Sequence, residues 1–219
     1  LLDCRSLELR TIPIPVDITL AICNTMVRHD LSSGEYNARR AECEQAVLSL
    51  RQVSPGIRAL RDVTRSQLEA HRSLLSGNLY KRAHHVITEN ERVMQAADAL
   101  QTGAVGRLSQ LMADSHRSLR QDYEVSCPEL DIMVEIATRQ RGTLGARMTG
   151  GGFGGCAISM VETAHAQEFQ HRVSAAYASA TGLRPDIYLC KASRGAEIIG
   201  GDATVVKKRY AATTERPNS

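Results

Sequence analysis

The sequence of 219 residues predicts an α+β fold. Segments rich in apolar and β-branched residues, which are typical of strands, lie near both ends of the chain. Between them, long stretches carry apolar residues at the three- and four-residue spacing of amphipathic helices. Strands at both ends that enclose several helices indicate the α+β class.

The first elements are predicted to be two strands and a helix. Leu1–Ile14 alternates weakly between apolar and polar residues, and Val16–Cys23 is richer in apolar and β-branched residues, so both are predicted to be strands. A capping-box pattern, Ser32-x-x-Glu35, indicates where the first helix begins, and that helix should end before Pro55.

Nine further segments complete the predicted order. Helical spacing with start and stop signals predicts four more helices. The first two are predicted near Thr64–Leu75 and from about Leu79 to Leu100, with Gly103 as a stop. The third follows the apolar stripe Val105, Leu108, Met112, Leu119 and Tyr123, and the fourth extends from a Ser126 cap, with Pro128 in the first turn and Glu129 reaching back, to about Thr138. A glycine-rich loop follows, and after it the pattern predicts a strand, a helix and a strand: Cys156–Val161, Thr163–Thr181 stopped by Gly182, and Asp186–Cys190. The polar end, 200–219, is predicted to be a flexible tail.

The glycine-rich loop is the most informative motif. Five of the six residues from Gly150 to Gly155 are glycine, and only Phe153 interrupts them. Such density costs backbone entropy and is kept where the backbone needs unusual angles or approaches something closely. Amides that no side chain shields can converge on an anion such as a phosphate.

Other interpretations of the glycine run are weaker. A flexible linker would have polar, Ser-rich flanks, whereas apolar segments bracket this loop. The run also fits G-x-G-x-x-G, but that dinucleotide motif needs a helix directly after it, and strand-type residues follow here. No Lys-Ser or Lys-Thr follows the glycines, so it is not a Walker loop. A simple hairpin turn remains possible.

Composition excludes several classes of function. The hydrophobic share of 42% and the charged share of 23% are those of a globular protein. Trp is absent and the net charge is only +3, with basic and acidic residues interleaved, so we expect no nucleic-acid partner. No apolar run reaches membrane-spanning length, so we expect no membrane partner.

The six cysteines are widely spaced and never form C-x-x-C. Metal knuckles and dense disulfide frameworks both require clustering, so we expect reduced thiols in a cytoplasmic protein and no metal site. The adjacent His84 and His85 point to different sides of a helix, which also disfavours a metal there.

Two other groups of side chains could carry chemistry. Four acids surround Cys127 and could act as general acid and base, although a structural role is the better interpretation: Asp122, Glu124, Glu129 and Asp131. Tyr36, at the start of the first helix, could either pack or offer its hydroxyl to a ligand, and the pattern does not decide between them.

Several motifs resemble one family. The run Gly145–Cys156 is similar to the C-terminal glycine motif of the small-molecule kinases that include galactokinase, homoserine kinase and mevalonate kinase. Four more segments resemble galactokinases in particular and follow the same order as in that family: Leu2–Glu8, Asn24–His29, Ser33–Glu44 and His116–Asp131. The resemblance extends from Leu2 to about Ile199.

The resemblance implies a specific fold and division of the chain. The fold would be the C-terminal ferredoxin-like domain of the small-molecule kinase fold, in which several helices pack on an antiparallel sheet. Residues 1–15 would be a strand segment at the boundary with a missing N-terminal domain. Residues 16–199 would form the C-terminal kinase domain, and residues 200–219 the flexible tail.

The resemblance also implies an activity and a site. Galactokinases transfer the γ-phosphoryl group of ATP to the C1 hydroxyl of galactose with Mg²⁺ on the phosphates. By residue match, Tyr36 would contact the sugar, and Thr149, Gly150, Gly151 and Gly152 would form a glycine loop that closes against the cleft. The expected partners are galactose, ATP and the missing N-terminal domain.

The motifs that this sequence does not contain limit that expectation. The family's N-terminal sugar signature, its Ser-rich phosphate loop and its catalytic Asp are not found here, so no catalytic residue is assigned. ATP and Mg²⁺ would be bound mainly by the missing N-terminal part, and this chain alone is expected to be inactive. The alternatives are an N-acetylgalactosamine kinase, a non-catalytic galactokinase-like sugar sensor, and a short interaction domain.

Overall fold

The computed structural model describes residues 1–27 and 34–193. These residues form six helices and four strands, with short 3-10 turns between some of them. The elements in chain order are β1 (Ile18–Asn24), α1 (Glu35–Arg51), α2 (Arg65–Ala70), α3 (Gly77–Gln101), α4 (Gly106–Gln121), α5 (Pro128–Thr138), β2 (Thr143–Thr149), β3 (Cys156–Glu162), α6 (Ala166–Thr181) and β4 (Asp186–Cys190).

The four strands form one sheet in the order β2-β3-β1-β4, and every neighbouring pair is antiparallel. Helices connect β1 to β2 and β3 to β4, whereas β2 and β3 form a hairpin. This β-α-β-β-α-β order is that of ferredoxin-like folds, with five helices instead of one in the first connection. The predicted α+β class and ferredoxin-like fold are therefore confirmed.

Helices cover the sheet on both faces. On one face, α5 and α6 bury residues such as Ala21, Cys23 and Val161 against Met133 and Phe169. On the other face, α3 and α4 cover a second cluster that includes Ile18, Met160, Ala99 and Leu108. Burial on both faces explains why β1 has a nearly continuous apolar sequence instead of a strict alternation.

A third cluster joins α1 and α2 to the outer side of α3. Its buried members include Leu50, Leu60, Leu68 and Ile87. The helices α1, α2 and α3 therefore form a layer beyond the sheet.

The helix predictions are largely confirmed, with differences at the ends. The second predicted helix is shorter, because α2 ends at Ala70 and a 3-10 turn, Arg72–Leu74, follows it. A 3-10 turn, Thr163–His165, likewise precedes α6. Gly182 ends α6 with a φ of 74°, as predicted from its type.

Two predicted caps differ from the structure. Gly34 is the N-cap of α1 and no side chain caps that helix, while the predicted Ser32 lies outside the described residues, as does the segment 200–219. The N-cap of α5 is Cys127 and it has no side-chain cap. Ser126 donates instead to the carboxylate of Asp131 at 2.6 Å.

The strand predicted for residues 1–14 is wrong. The segment folds back on itself with a single bridge between Leu2 and Leu9, and Leu7 has a φ of 61°. The Asp3 carboxylate accepts the backbone N–H groups of Arg5 and Ser6, which stabilises a turn where the strand was expected. The boundary role of residues 1–15 stays a prediction.

The strand β2 was not predicted from the sequence. Its sequence, TLGARMT, contains a glycine and an arginine and shows no clear alternation. Pairing with β3 from Thr143 to Thr149 forms the strand, so its cause is tertiary.

Candidate functional site

The glycine-rich loop connects β2 to β3, directly after the pair Thr149 and Cys156. Gly150 and Gly152 have a φ of 88°, Gly154 has a φ of 141° and Phe153 has a φ of 62°. A side chain is rarely tolerated at such angles, so the loop conformation itself requires glycines. Gly151 is the exception, because its φ lies outside this region.

One end of the loop is packed tightly against the rest of the chain. A Cβ atom on Gly152 would lie 2.1 Å from the carbonyl oxygen of Val125, and the next amide, that of Phe153, donates to the same oxygen at 2.6 Å. A Cβ on Gly154 would lie 2.7 Å from the Val27 carbonyl oxygen. The Gly155 amide donates to that oxygen at 3.1 Å. Gly152 and Gly154 are therefore needed because a backbone carbonyl of the same chain occupies the place where a Cβ would lie.

The other end of the loop faces open space. A Cβ on Gly150 or Gly151 would meet no atom within 4 Å. Among the described residues, none accepts a hydrogen bond from the amides of Gly150, Gly151 and Gly152. These three consecutive N–H groups are the part of the loop that could bind an anion.

Tyr36 lies in the first turn of α1 and its side chain is 66% exposed. No described residue hydrogen-bonds its hydroxyl. Arg39 follows three residues later, on the same side of the helix. Its guanidinium lies over the ring of Phe153, 5.9 Å from the ring centre. The structure therefore brings the first turn of α1 and the glycine loop to the same region.

The segment 122–125, here called the support turn, lies between these two elements. Arg39 donates from Nε to the Tyr123 carbonyl at 2.8 Å and from Nη2 to the Glu124 carbonyl at 3.0 Å. Val125, the last residue of the turn, accepts the Phe153 amide. The support turn thus links α1 to the glycine loop through backbone groups.

Arg82 secures the support turn from the side of α3. Its side chain is only 2% exposed, and it donates to the carboxylates of Glu42 and Glu124, both at 2.7 Å, and to the Asp122 carbonyl at 2.5 Å. Burial works against the charged form, but the two carboxylates outweigh it and raise the pKa of Arg82. Hydrogen bonds from Lys81 and Arg82 lower the pKa of Glu124. The buried charge of Arg82 is therefore compensated by two carboxylates.

Three of the four acids near Cys127, namely Asp122, Glu124 and Asp131, have structural partners. Asp122 accepts Ser118 at 2.7 Å. Asp131 pairs with Arg120 at 3.0 Å and with His116 at 3.3 Å. Together with the pairs of Glu124, these contacts support the structural interpretation over general acid–base chemistry.

The two adjacent histidines also have structural contacts. His84 contacts the Asp122 carboxylate at 3.2 Å. His85 is buried, stacks on Tyr123 with 4.5 Å between ring centres, and contacts the Ser118 hydroxyl at 3.0 Å. Burial lowers the pKa of His85 to about 4. Within residues 1–27 and 34–193, no group of three or more His, Cys, Asp or Glu could hold a metal ion.

Sequence reasoning missed the residues that connect the site, above all Arg39, Arg82 and Val125. Arg39 lies in a segment that resembles the kinases, but its contacts with 123 and 124 are separated by more than 80 positions in the chain. A contact between residues so far apart in the chain cannot be predicted from a local sequence pattern.

A groove of about 1250 Å³ lies away from the glycine loop and shares no residue with it. It is bounded by the N-terminal turn, α1, α3 and the segment 58–61. Leu48, Val93 and Met94 contribute apolar surface to it.

Within the described part of the chain, no helix is both long and apolar enough to cross a membrane.

Comparisons with known proteins agree with this geometry. Residues 96–179 match the family described as GHMP kinases C terminal, and this range includes the glycine loop. The chain is 45% identical to a galactokinase of Roseiflexus sp. over 195 residues, which cover 89% of the chain and 50% of that protein. It is 44% identical to a galactokinase of Mannheimia succiniciproducens over 202 residues, or 90% of the chain and 51% of that protein.

The fold is also similar to a solved structure, that of Lactococcus lactis galactokinase complexed with galactose. The TM-score is 0.81 and the sequence identity is 35%, and the alignment covers 86% of this chain and 49% of that protein. The chain thus spans about half the length of the relatives that it matches.

Proposed function

We propose that this chain, which carries the C-terminal domain of the GHMP kinases, acts as the C-terminal part of a working galactokinase. The whole protein transfers the γ-phosphoryl group of ATP to the C1 hydroxyl of galactose. The observation that carries this proposal is the identity of 45% to a galactokinase over 89% of the chain. The relatives reported above are galactokinases, and none of them supports the N-acetylgalactosamine kinase or sugar-sensor alternatives.

Within this proposal Tyr36 binds the sugar. Its side chain is largely exposed at the start of α1, and its hydroxyl is bonded to no described residue. A hydroxyl in that state can donate to or accept from a hydroxyl of galactose. Its neighbour Arg39 reaches Phe153, so the sugar would lie close to the glycine loop.

The proposed role of Thr149, Gly150, Gly151 and Gly152 is to line the phosphoryl side of the cleft. Phosphoryl transfer depends almost entirely on positioning and on stabilisation of charge on the transferring group. Backbone amides held in place before the reaction supply such stabilisation without reorganisation. The open side of Gly150 and Gly151 leaves room for a substrate to approach those amides.

The proposal places the binding of ATP and Mg²⁺ mainly outside this chain. The glycine loop contains no carboxylate, so its residues do not fit a magnesium site, although its amides fit a phosphate. Mg²⁺ would neutralise phosphate charge when bound. The catalytic Asp and the Ser-rich phosphate loop would also belong to the N-terminal part of the protein, and no catalytic residue is assigned here.

A cytoplasmic location is part of the same proposal. All six cysteines are unpaired in the structure. Free thiols that include the buried Cys23 are typical of a reducing compartment.

The experiment is a galactose-dependent ADP-release assay on the full-length protein that contains this chain, compared with the isolated 219-residue chain. We expect turnover only from the full-length protein. Turnover by the isolated chain would contradict the division of labour proposed here. Turnover with N-acetylgalactosamine but not galactose would favour that alternative, and binding of sugar and ATP without turnover would favour a sensor.

A further inference from the structure

The support turn has a strained backbone that side chains hold in place. Glu124 has a φ of 56°, which is unusual for a residue with a side chain. Such a conformation persists only where the surroundings over-determine it. Lys81 and Arg82 hold the Glu124 carboxylate at 2.9 Å and 2.7 Å, and Arg39 holds its carbonyl.

Arg39 makes contacts that no other side chain type reproduces. Two nitrogens of one guanidinium bind the consecutive carbonyls of Tyr123 and Glu124. The third nitrogen, Nη1, lies 3.3 Å from the Glu35 carboxylate, which is also in the first turn of α1. The planar fork of arginine fits this arrangement, whereas the ammonium of lysine is a single point charge.

The same guanidinium also contacts the glycine loop directly. It lies over the Phe153 ring, and the amide of Phe153 donates to Val125 at the end of the support turn. Arg39 is 13% exposed, so these contacts are largely shielded from water. One side chain therefore touches both the loop and the turn on which the loop rests.

We propose that Arg39 is a positioning residue for phosphoryl transfer, which fixes the glycine loop relative to the first turn of α1. Tyr36, the proposed sugar contact, lies on that turn, so Arg39 sets the spacing between the sugar side and the phosphoryl side of the cleft. Arg39 itself touches neither substrate. The kinetic role of Arg39 rests on the proposed galactokinase function, whereas its role in holding the glycine loop next to α1 does not.

The kinetic consequence follows from geometry. A displacement of about 1 Å at the reacting groups can cost on the order of a hundredfold in rate. Without Arg39, Tyr36 and the loop amides are still present, but their positions relative to each other change. The effect should therefore fall on kcat, with little change in the KM for galactose or ATP.

The variants are Arg39→Gln and Arg39→Lys in the full-length protein, with Arg40→Gln as the matched control. Arg40 is the next residue of the same helix, its side chain is 72% exposed, and Glu44 is its only ion-pair partner among the described residues. We expect Arg39→Gln to lower kcat by about ten- to a hundredfold, measured well below its melting temperature. Arg39→Lys should recover little of that loss, and Arg40→Gln should match the wild type.

Hydrogen exchange supplies a readout that does not depend on activity. The Phe153 amide should exchange about tenfold faster in Arg39→Gln, comparable to the loss of one hydrogen bond to a charged group. Exchange in Arg40→Gln should be unchanged. Mass spectrometry of peptides that cover the loop measures both.

The outcomes separate the two proposals. If the wild type shows no turnover with galactose, the proposed function fails, while exchange at Phe153 still tests the positioning role. If Arg39→Gln only lowers the melting temperature, with kcat and Phe153 exchange unchanged, the positioning role is overturned. If neither Arg39 variant melts cooperatively, Arg39 is a folding residue and the inference also fails.

Discussion

The two ends of the glycine loop have the same composition but different surroundings. Gly152 and Gly154 lie so close to the carbonyls of Val125 and Val27 that neither could carry a Cβ. Gly150 and Gly151 have open space on the side where a Cβ would project. The glycines of this run are therefore explained in two ways. At one end a side chain would collide with the backbone of the same chain, and at the other end the bare backbone leaves room for a ligand.

This difference changes how the motif should be interpreted. The packed end anchors the hairpin to the support turn, so its glycines contribute to stability and to the placement of the loop. The open end has no structural need for bare backbone at Gly151, since its φ is ordinary. Substitutions at the two ends should consequently affect different measurements.

The largest expected effect is that of Gly152→Ala. The new Cβ would lie 2.1 Å from the Val125 oxygen at a φ of 88°, so the loop or the support turn must move. Backbone strain and overpacking together predict a loss of about 2–5 kcal/mol in unfolding free energy, with a large loss of kcat. Denaturation curves and steady-state kinetics of the full-length protein measure these, and an unchanged melting temperature would show that the packed end is not an anchor.

The next effect concerns pH at the anchor. Burial lowers the pKa of His85, which stacks on Tyr123 of the support turn, to about 4. The unfolded chain binds that proton near pH 6.5, so the stability that neutral His85 contributes is complete above that pH. It is lost as the pH falls from about 6.5 to 4, by at most about 3 kcal/mol.

Urea denaturation of the full-length protein at several pH values between 7 and 4 tests this prediction. His85→Gln should flatten the loss of stability at acid pH, whereas His171→Gln, on the exposed side of α6, should keep the wild-type slope. Part of the slope should remain, because burial also lowers the pKa of His116. A slope identical to that of the wild type in His85→Gln would contradict the prediction.

A smaller effect is expected for Tyr36→Phe, which removes one exposed hydroxyl in the first turn of α1. If that hydroxyl binds galactose, its loss costs about 0.5–1.5 kcal/mol, seen as a higher KM for galactose with the KM for ATP nearly unchanged. The melting temperature should not change, because no described residue bonds the hydroxyl. An unchanged KM for galactose would remove Tyr36 from the site.

The smallest effect on stability is expected for Gly151→Ala, the matched partner of Gly152→Ala. Its Cβ would enter open space at an allowed φ, so unfolding free energy should change by no more than about 0.5 kcal/mol. A fall in kcat at unchanged stability would support a ligand at the open end. Wild-type kinetics together with wild-type stability would reduce this end to a simple turn.

Much of the fold could be predicted from the sequence, because helical periodicity and stop signals are local. The order of helices from α1 to α6 and the strands β1, β3 and β4 were predicted correctly. The two failures, β2 and the segment 1–14, are both questions of strand pairing. A strand is stable only beside a partner, and local composition does not reveal whether a partner is present.

The sequence alone determined that a glycine loop precedes a buried strand in an α+β fold, because backbone freedom and apolar periodicity depend on residue type. Only the tertiary structure decided which glycines are anchored, because that depends on Val125 and Val27 meeting the loop. It also decided that Arg39 joins α1 to that loop, through carbonyls more than 80 positions away. Tertiary packing brings such groups together, and a pattern of neighbouring residues in the sequence does not predict contacts of this kind.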